Sequence, residues 1–339
     1  MDCAVIGCGP SGSIFSYSFE GESNIYEEHD KIGYPVRCAG LISERAYSFF
    51  KKIGINIEEC IENKINEVEV NLYNKKFYID IKGILLNRAN FDKVLAEYAF
   101  TKANIIKKRI SEFDLENFNS IVGADGPFSI VAKAFNFDKL DYAIAYQKEF
   151  LGKKENENTI KVYFFDSSFG YVIPNFKERI VGIVFFEEPK RKFAEFFFKK
   201  IRENGEKEME SFAAVIPKKM RKEISKKIKN GKEEKRIHLI GDAAGIVKQT
   251  SGGGIYYGCL YSYYLGRYFY EEEKLKKIEE EIRRKLKLHE LIRKIINKKF
   301  FLKTISIFPE FRISYDMEEI SSLSFRPKKL FNIFSFIIS

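Results

Sequence analysis

Tryptophan is missing altogether from the 339 residues, and the five cysteines (Cys3, Cys8, Cys38, Cys60 and Cys259) are odd in number and widely spaced. No CxxC pair and no Cys/His spacing of metal-site type occurs. The sequence therefore offers no metal site, and its cysteines read as reduced thiols of a cytoplasmic protein. No run of about 18 apolar residues exists, which argues against a membrane-spanning helix. The chain opens on an apolar strand pattern, Asp2–Ile6, without a basic leader, so a secretory signal is not expected. Internal repeats and low-complexity linkers are missing too, which leaves no clean sequential domain boundary.

What is present is a chain long enough to bury a large core in two interleaved domains, with 45% hydrophobic and 31% charged residues. Lys and Glu dominate the charge, a bias shared by proteins with surface ion-pair networks. The net charge is +10, and residues 282–303 alone hold nine Lys/Arg against one Glu. Within that stretch Ile282, Leu286, Ile292, Ile295, Ile296 and Phe300 recur at near-helical spacing. The pattern fits an amphipathic helix packed on the body with a solvated basic face, or one resting on an anionic membrane surface. No nucleic-acid motif accompanies the charge, so no nucleic-acid partner is expected. The apolar stretch Leu330–Ile338 is too short to span a bilayer, but long enough to dip into one or to close a cavity.

Two glycine-rich segments far apart carry most of the information. The first, Gly7-Cys8-Gly9-Pro10-Ser11-Gly12, follows a short buried strand and opens a helix over 11–20. Gly7 allows the tight turn, Gly9 lets backbone amides approach a pyrophosphate, and Gly12 lets the helix pack on the strand. Pro10 and Ser11 then stand at the helix N-terminus, where free amides and the helix dipole favour a phosphate. Glu27 ends the second strand (24–27), 20 residues beyond Gly7, where it can accept hydrogen bonds from a ribose diol. The second segment, Gly241-Asp242-Ala243-Ala244-Gly245, follows a short strand over 238–240 and precedes Gly252-Gly253-Gly254. Asp242 can bind a polyol hydroxyl, and a helix beginning near Gly252 and Ile255 presents a positive dipole end. One long cofactor held at both ends is FAD rather than a detachable nicotinamide. Between the two lie Arg88, ahead of a helix over 90–100 capped by Asn90, and Asp125-Gly126 after a strand at 121–123.

The remaining pattern divides into a hairpin over 65–83 and strands at 142–150, 159–166 and 179–186. Helices are expected at 190–204 and 206–212, a solvated helix and loop over 218–235, a helix over 255–270, and one or two charged helices from 271 to about 303. The fold class this predicts is α/β (α+β overall). A Rossmann-like FAD-binding domain (1–64, 84–140 and 232–270) carries an inserted antiparallel-sheet substrate domain (65–83 and 141–231) and C-terminal helices (271–339).

With these motifs in place, the chain resembles the geranylgeranyl reductase family, within the FAD fold shared by p-hydroxybenzoate hydroxylase-like and glutathione reductase-like enzymes. The resemblance rests on Ile32-Gly33-Tyr34-Pro35-Val36-Arg37-Cys38-Ala39-Gly40, on the second glycine segment, and on Gly252-Gly253-Gly254-Ile255-Tyr256-Tyr257-Gly258. A looser match is Phe169-Gly170-Tyr171-Val172-Ile173-Pro174, which stands for a family YxWxFP pattern and has Tyr171 in the Trp slot. Gln249 also stands where a Pro is common. The resemblance implies a reductase of isoprenoid double bonds acting on a prenyl-chain lipid. It implies that Arg37, Cys38 and Ala39 border the flavin, with Cys38 and Tyr171 as catalytic candidates. It implies a substrate cavity bordered by Phe169, Tyr171, Ile173, Pro174 and Tyr256. No second nucleotide fingerprint appears, so the electron donor, ferredoxin or NAD(P)H, would be external.

Overall fold

The computed structural model describes residues 3–152, 158–165, 167–175, 178–230, 233–298, 302–304, 306 and 312–318. The apolar stretch Leu330–Ile338 lies outside the described residues. In chain order the elements begin with β1 (Cys3–Ile6), α1 (Pro10–Ser18), β2 (Ser23–Glu27), β3 (Leu41–Ser43), α2 (Glu44–Lys52), β4 (Ile61–Leu72) and β5 (Lys75–Leu86). They continue with α3 (Arg88–Phe100), β6 (Ala103–Lys107), β7 (Ser120–Gly123), α4 (Ile130–Ala134), β8 (Tyr142–Leu151), β9 (Thr159–Phe165), β10 (Ser168–Asn175) and β11 (Glu178–Phe185). The last are α5 (Arg191–Ile201), β12 (Lys207–Pro217), β13 (Ser225–Asn230), β14 (Glu233–Leu239), α6 (Gly241–Ala244), α7 (Ile255–Arg267), α8 (Glu272–Ile296) and β15 (Arg312–Ser314).

Two sheets result. The first has the order β13-β14-β7-β1-β2-β6, parallel throughout except for the β13/β14 pair. Its central strands are buried along their whole length, as a parallel sheet covered on both faces requires: β1 reads Cys-Ala-Val-Ile and β7 reads Ser-Ile-Val-Gly. Chain order runs outward from β1 to β2 and β6 on one side, and to β7 and β14 on the other. The crevice between β1 and β7 is therefore a topological switch point, where such sheets bind ligands.

The second sheet has the order β12-β8-β11-β10-β9-β4-β5-β15, with β3 also paired to β5. Alternation gives β10 two apolar faces. Val172 packs with Val181, Ile183 and Phe185 against Phe197 and Phe198 of α5, while Phe169 and Tyr171 cluster on the opposite face with Ala145, Val162 and Val184. The α/β class and its inserted antiparallel sheet thus stand as the sequence indicates.

Three local expectations change. Residues 207–217 are a strand and not a helix over 206–212. Lys207–Ser211 is an exposed edge of charged residues, whose composition favours a helix, but pairing with β8 fixes it as strand. The solvated helix and loop over 218–235 is replaced by the β13/β14 hairpin, for the same reason at the edge of the other sheet. The cap of α3 is Asn87 and not Asn90: the Asn87 side chain accepts from the Asn90 backbone N–H at 3.0 Å.

Candidate functional site

The carboxyl ends of β1, β7 and β14 lead into Gly7, Ala124 and Gly241, which meet over the start of α1. Here the close approach is enforced by Gly12. A Cβ on that residue would stand 2.1 Å from the Gly7 carbonyl oxygen and 3.1 Å from the Ala124 Cβ. Pro10 takes the first helical position, where its missing N–H costs nothing. A Cβ on Gly9 would meet nothing within 4 Å, so the turn presents bare backbone to open space. Gly9, Pro10 and Ser11 line a cavity of about 700 Å³.

The second glycine segment borders the same cavity, through Gly241, Asp242 and Gly252–Ile255. So do Arg37, Cys38, Ala39, Arg88 and Gly126. The far half is apolar: Val68, Ile79, Ile81 and Ile160 from the second sheet face Phe169, Tyr171 and Ile173 of β10. Residues 282 positions apart, Pro10 and Ile292, close one space.

Several expected residues stand outside this wall. Gly7 and Gly12 act beneath it as packing. The Glu27 carboxylate accepts the Cys8 N–H at 2.8 Å and both the backbone N–H and the ring Nδ1 side of His29, at 2.9 and 2.7 Å. It fixes the glycine turn and faces the surface end of β2. Asp125 lies beneath the start of α4, where its Oδ2 accepts from Ile130 N–H at 2.6 Å; its Oδ1 has no partner among the described residues. Pro174 turns away from the cavity, its carbonyl accepting from Asn63 at 3.0 Å. Tyr256 packs edge-on against Phe49 instead of lining the space.

The cofactor-facing polar groups are held in place from behind. Arg88 forms a two-pronged ion pair with Asp92, Nε to Oδ1 at 3.0 Å and a terminal nitrogen to Oδ2 at 2.9 Å. Burial opposes the Arg88 charge, but Asp92 and the neighbouring Cys38 outweigh it and hold its pKa above the ordinary range. Asp242 has no side-chain partner among the described residues, and burial raises its pKa to about 6, with Arg88 pulling the other way. The acid is thus raised above its unfolded value, so its contribution to apoprotein stability falls as pH rises from about 4 through 6. Asp242→Asn is expected to raise the apoprotein melting temperature most at pH 7, with the difference closing on acidification toward pH 4. Thermal melts of both proteins across that range, without added flavin, check this.

Sequence reading missed a set of buried supports. His289 of α8 shares a 2.7 Å hydrogen bond with Thr250, and burial together with Lys248 lowers its pKa to about 3. Arg293 donates to the Gln249 carbonyl at 2.9 Å and to that of Thr250, and its guanidinium lies over Phe186 and Phe169 at 4.2 and 4.9 Å. Burial pushes Arg293 down to about 10. This basic residue serves the site and does not belong to a solvated face. Ile282 and Leu286 pack in the core, so α8 is anchored on the body, while Arg284, Lys287 and Lys294 remain exposed.

The arrangement defines a class: a Rossmann-type fold with an inserted sheet, as in flavin-dependent oxidoreductases. No family model matches the chain. Within the class it is similar to a digeranylgeranylglycerophospholipid reductase of Methanococcus aeolicus, 27% identical over 299 residues, covering 75% of this chain and 73% of that protein. It is likewise 27% identical over 296 residues to an uncharacterized protein of Methanocaldococcus jannaschii, covering 76% and 72%. Its fold matches that of a geranylgeranyl bacteriochlorophyll reductase-like protein from Thermoplasma acidophilum (TM-score 0.73, 18% identity, 90% of each chain). A flavin-dependent brominase, Bmp2, shares the fold too (TM-score 0.67, 14% identity, 90% of each chain). Among the described residues no helix is long and apolar enough to cross a membrane, and no group of three or more His, Cys, Asp or Glu is placed to hold a metal ion.

Proposed function

We propose that the chain is an FAD-dependent reductase that saturates isoprenoid double bonds of a prenyl-chain lipid. The observation that carries this reading is the single cavity joining bare glycine backbone and Asp242 at one end to an apolar sheet face at the other. The residues present fit FAD: Gly9, Pro10 and Ser11 would hold the pyrophosphate at the α1 N-terminus, Glu27 would stand at the ribose, and Asp242 would accept from a chain hydroxyl. Gly252–Ile255 at the start of α7 would favour negative charge on the ring, with Arg37, Cys38, Ala39, Arg88 and Gly126 along its edges. Reduced FAD, when bound, supplies a hydride equivalent for such a reaction.

The protein's own part is to bind, orient and exclude water. Each CH₂ of a prenyl chain buried against Val68, Ile79, Ile160 and Ile173 contributes about 0.8 kcal/mol. An unactivated alkene needs orientation above all, and the stiff β-branched wall supplies it. Cys38, between Arg88 and Tyr171, is a proton-bearing side chain where the two halves meet, and the Tyr171 hydroxyl beside it is engaged with Gln147. Burial holds the Tyr171 phenol neutral, its pKa raised first by desolvation and then by Cys38. The exposed Arg284, Lys287 and Lys294 support contact of α8 with an anionic bilayer that presents the lipid. The electrons would come from an external donor, ferredoxin or NAD(P)H.

A monooxygenase or halogenase-like reading draws on the fold shared with the brominase, and a membrane-surface FAD protein without turnover is the third. Chemically reduced protein under anaerobic conditions is expected to add H₂ to geranylgeranyl lipids, read by mass spectrometry. Product only in the presence of oxygen would overturn the reductase reading, and no product from any prenyl substrate would favour the third.

A further inference from the structure

One polar pair interrupts the apolar half of the cavity. Gln147, on β8, is 2% exposed and lines the space together with Tyr171 of β10. The Tyr171 hydroxyl donates to Gln147 Oε1 at 2.8 Å. Gln147 Nε2 has no hydrogen-bond partner among the described residues. Around the pair stand Ala145, Val162, Phe169, Ile173 and Val184, none of which offers a side-chain acceptor. The pair is also locked. Gly182 faces Tyr171 across the β10/β11 ladder, and a Cβ there would lie 2.1 Å from the Tyr171 Cζ, so the ring lies flat over the glycine. Both side chains are held on sheet strands, and Tyr171 spends its only proton on Oε1, which orients the amide.

A buried amide donor without an acceptor is unfavourable unless something else satisfies it. We propose that Gln147 is a specificity-determining residue whose Nε2 donates to an oxygen of the substrate, so that the cavity selects an apolar chain bearing a carbonyl, hydroxyl or ether oxygen over a plain hydrocarbon. This rests on the proposed prenyl reductase reading and sharpens it: the oxygen sits against the sheet wall and sets which stretch of chain lies at the cofactor end. Tyr171 is a positioning residue, acting through Gln147. A site built to hydrogen-bond one substrate group discriminates strongly against the analogue that lacks it, because its own buried group is then left unpaired.

The test uses the flavin-loaded full chain and ligands delivered from cyclodextrin, with binding measured calorimetrically. The probes are geranylgeranylacetone, geranylgeraniol and the matching prenyl hydrocarbon, with an unbranched ketone and alkane of similar length as a second set. Wild type is expected to bind an oxygenated probe about tenfold more tightly than its hydrocarbon, the size of one hydrogen bond to a buried donor. Gln147→Leu is expected to abolish that preference while leaving hydrocarbon affinity in place. The ketone and alcohol arms tell a carbonyl from a hydroxyl. Tight but equal binding of oxygenated and plain probes in both sets by wild type overturns the inference and leaves the reductase reading standing. An oxygen preference confined to the unbranched set keeps the inference and removes the prenyl reading. No oxygen preference in either set overturns the inference, as does a preference that persists in Gln147→Leu or a variant that loses flavin instead. Should Gln147→Leu fail to fold, Tyr171→Phe with Gln147→Leu gives a wholly apolar pair for the same comparison, and the wild-type measurement decides by itself.

Discussion

Gly12→Val is expected to give a protein that purifies without flavin. The reason lies in a distance that no side chain tolerates: the new Cβ would fall 2.1 Å from the Gly7 carbonyl oxygen, a backbone atom that cannot swing aside. To relieve it, α1 must lift from β1, and the first turn of α1 is the part bearing Gly9, Pro10 and Ser11. Overpacking of this kind costs about 1–3 kcal/mol. The effect on the cofactor is larger, because displacing a phosphate seat by about 1 Å costs on the order of 100-fold. Flavin absorbance of the purified protein and its retention on reconstitution measure the outcome, with circular dichroism to show that the sheets remain. Gly9→Ala is the contrast, since its Cβ meets nothing. It should keep the fold and lose affinity only by crowding the pyrophosphate. A flavin-replete Gly12→Val protein would mean that α1 does not seat the phosphates.

Lys248→Met carries the second large effect. Lys248 is 5% exposed, and its ammonium donates to Glu318 Oε1 at 2.8 Å and to the Met317 carbonyl at 3.1 Å. Glu318 is equally buried and also accepts from Ser43 at 3.0 Å, while its Oε2 has no partner among the described residues. Removing one member of a buried pair leaves the other charge uncompensated, at about 3–5 kcal/mol. Besides that pair, the segment from 312 to 318 is attached by a short β15/β5 ladder, by Arg312 pairs to Asp80 and Glu67, by an Arg45–Asp316 pair and by hydrogen bonds from Ser43 and Tyr257 to Glu318. The penalty is therefore expected to appear as opening of this segment before the sheets melt. Limited proteolysis should cut Lys248→Met there well ahead of wild type. Lys248→Met with Glu318→Leu should recover most of the loss, because two apolar groups replace the pair together. Unchanged proteolysis in the single variant would show that the pair does not hold the segment.

How legible this protein is in its sequence depends on how far apart the interacting residues lie. The parallel sheet and both glycine segments are local patterns, a strand followed by a turn and a helix start, and they stand where the sequence puts them. Lys207–Ser211 and the Lys-rich β13 are misread because an edge strand needs no apolar face, and its charges imitate a solvated helix. Asn87 loses to Asn90 in the reading because both are good caps and only backbone geometry separates them. The Arg88–Asp92 pair goes unread, although its i, i+4 spacing is a local signal that could have found it. By contrast, nothing local links Gln147 to Tyr171, Lys248 to Glu318, or Arg293 to the loop at Gln249. These contacts bring together residues 24 to 70 positions apart, and each depends on how two sheets and a helix come to face one another.

The bond between Ser43 and Glu318 joins positions 275 residues apart. During translation the glycine turn, both sheets and α7 have all emerged before Tyr315, Met317 and Glu318 leave the ribosome. The nascent protein thus passes through a stage with its binding cleft built but one wall still missing. Tyr315 and Met317 add their part of that wall only after the rest of the cleft has been made.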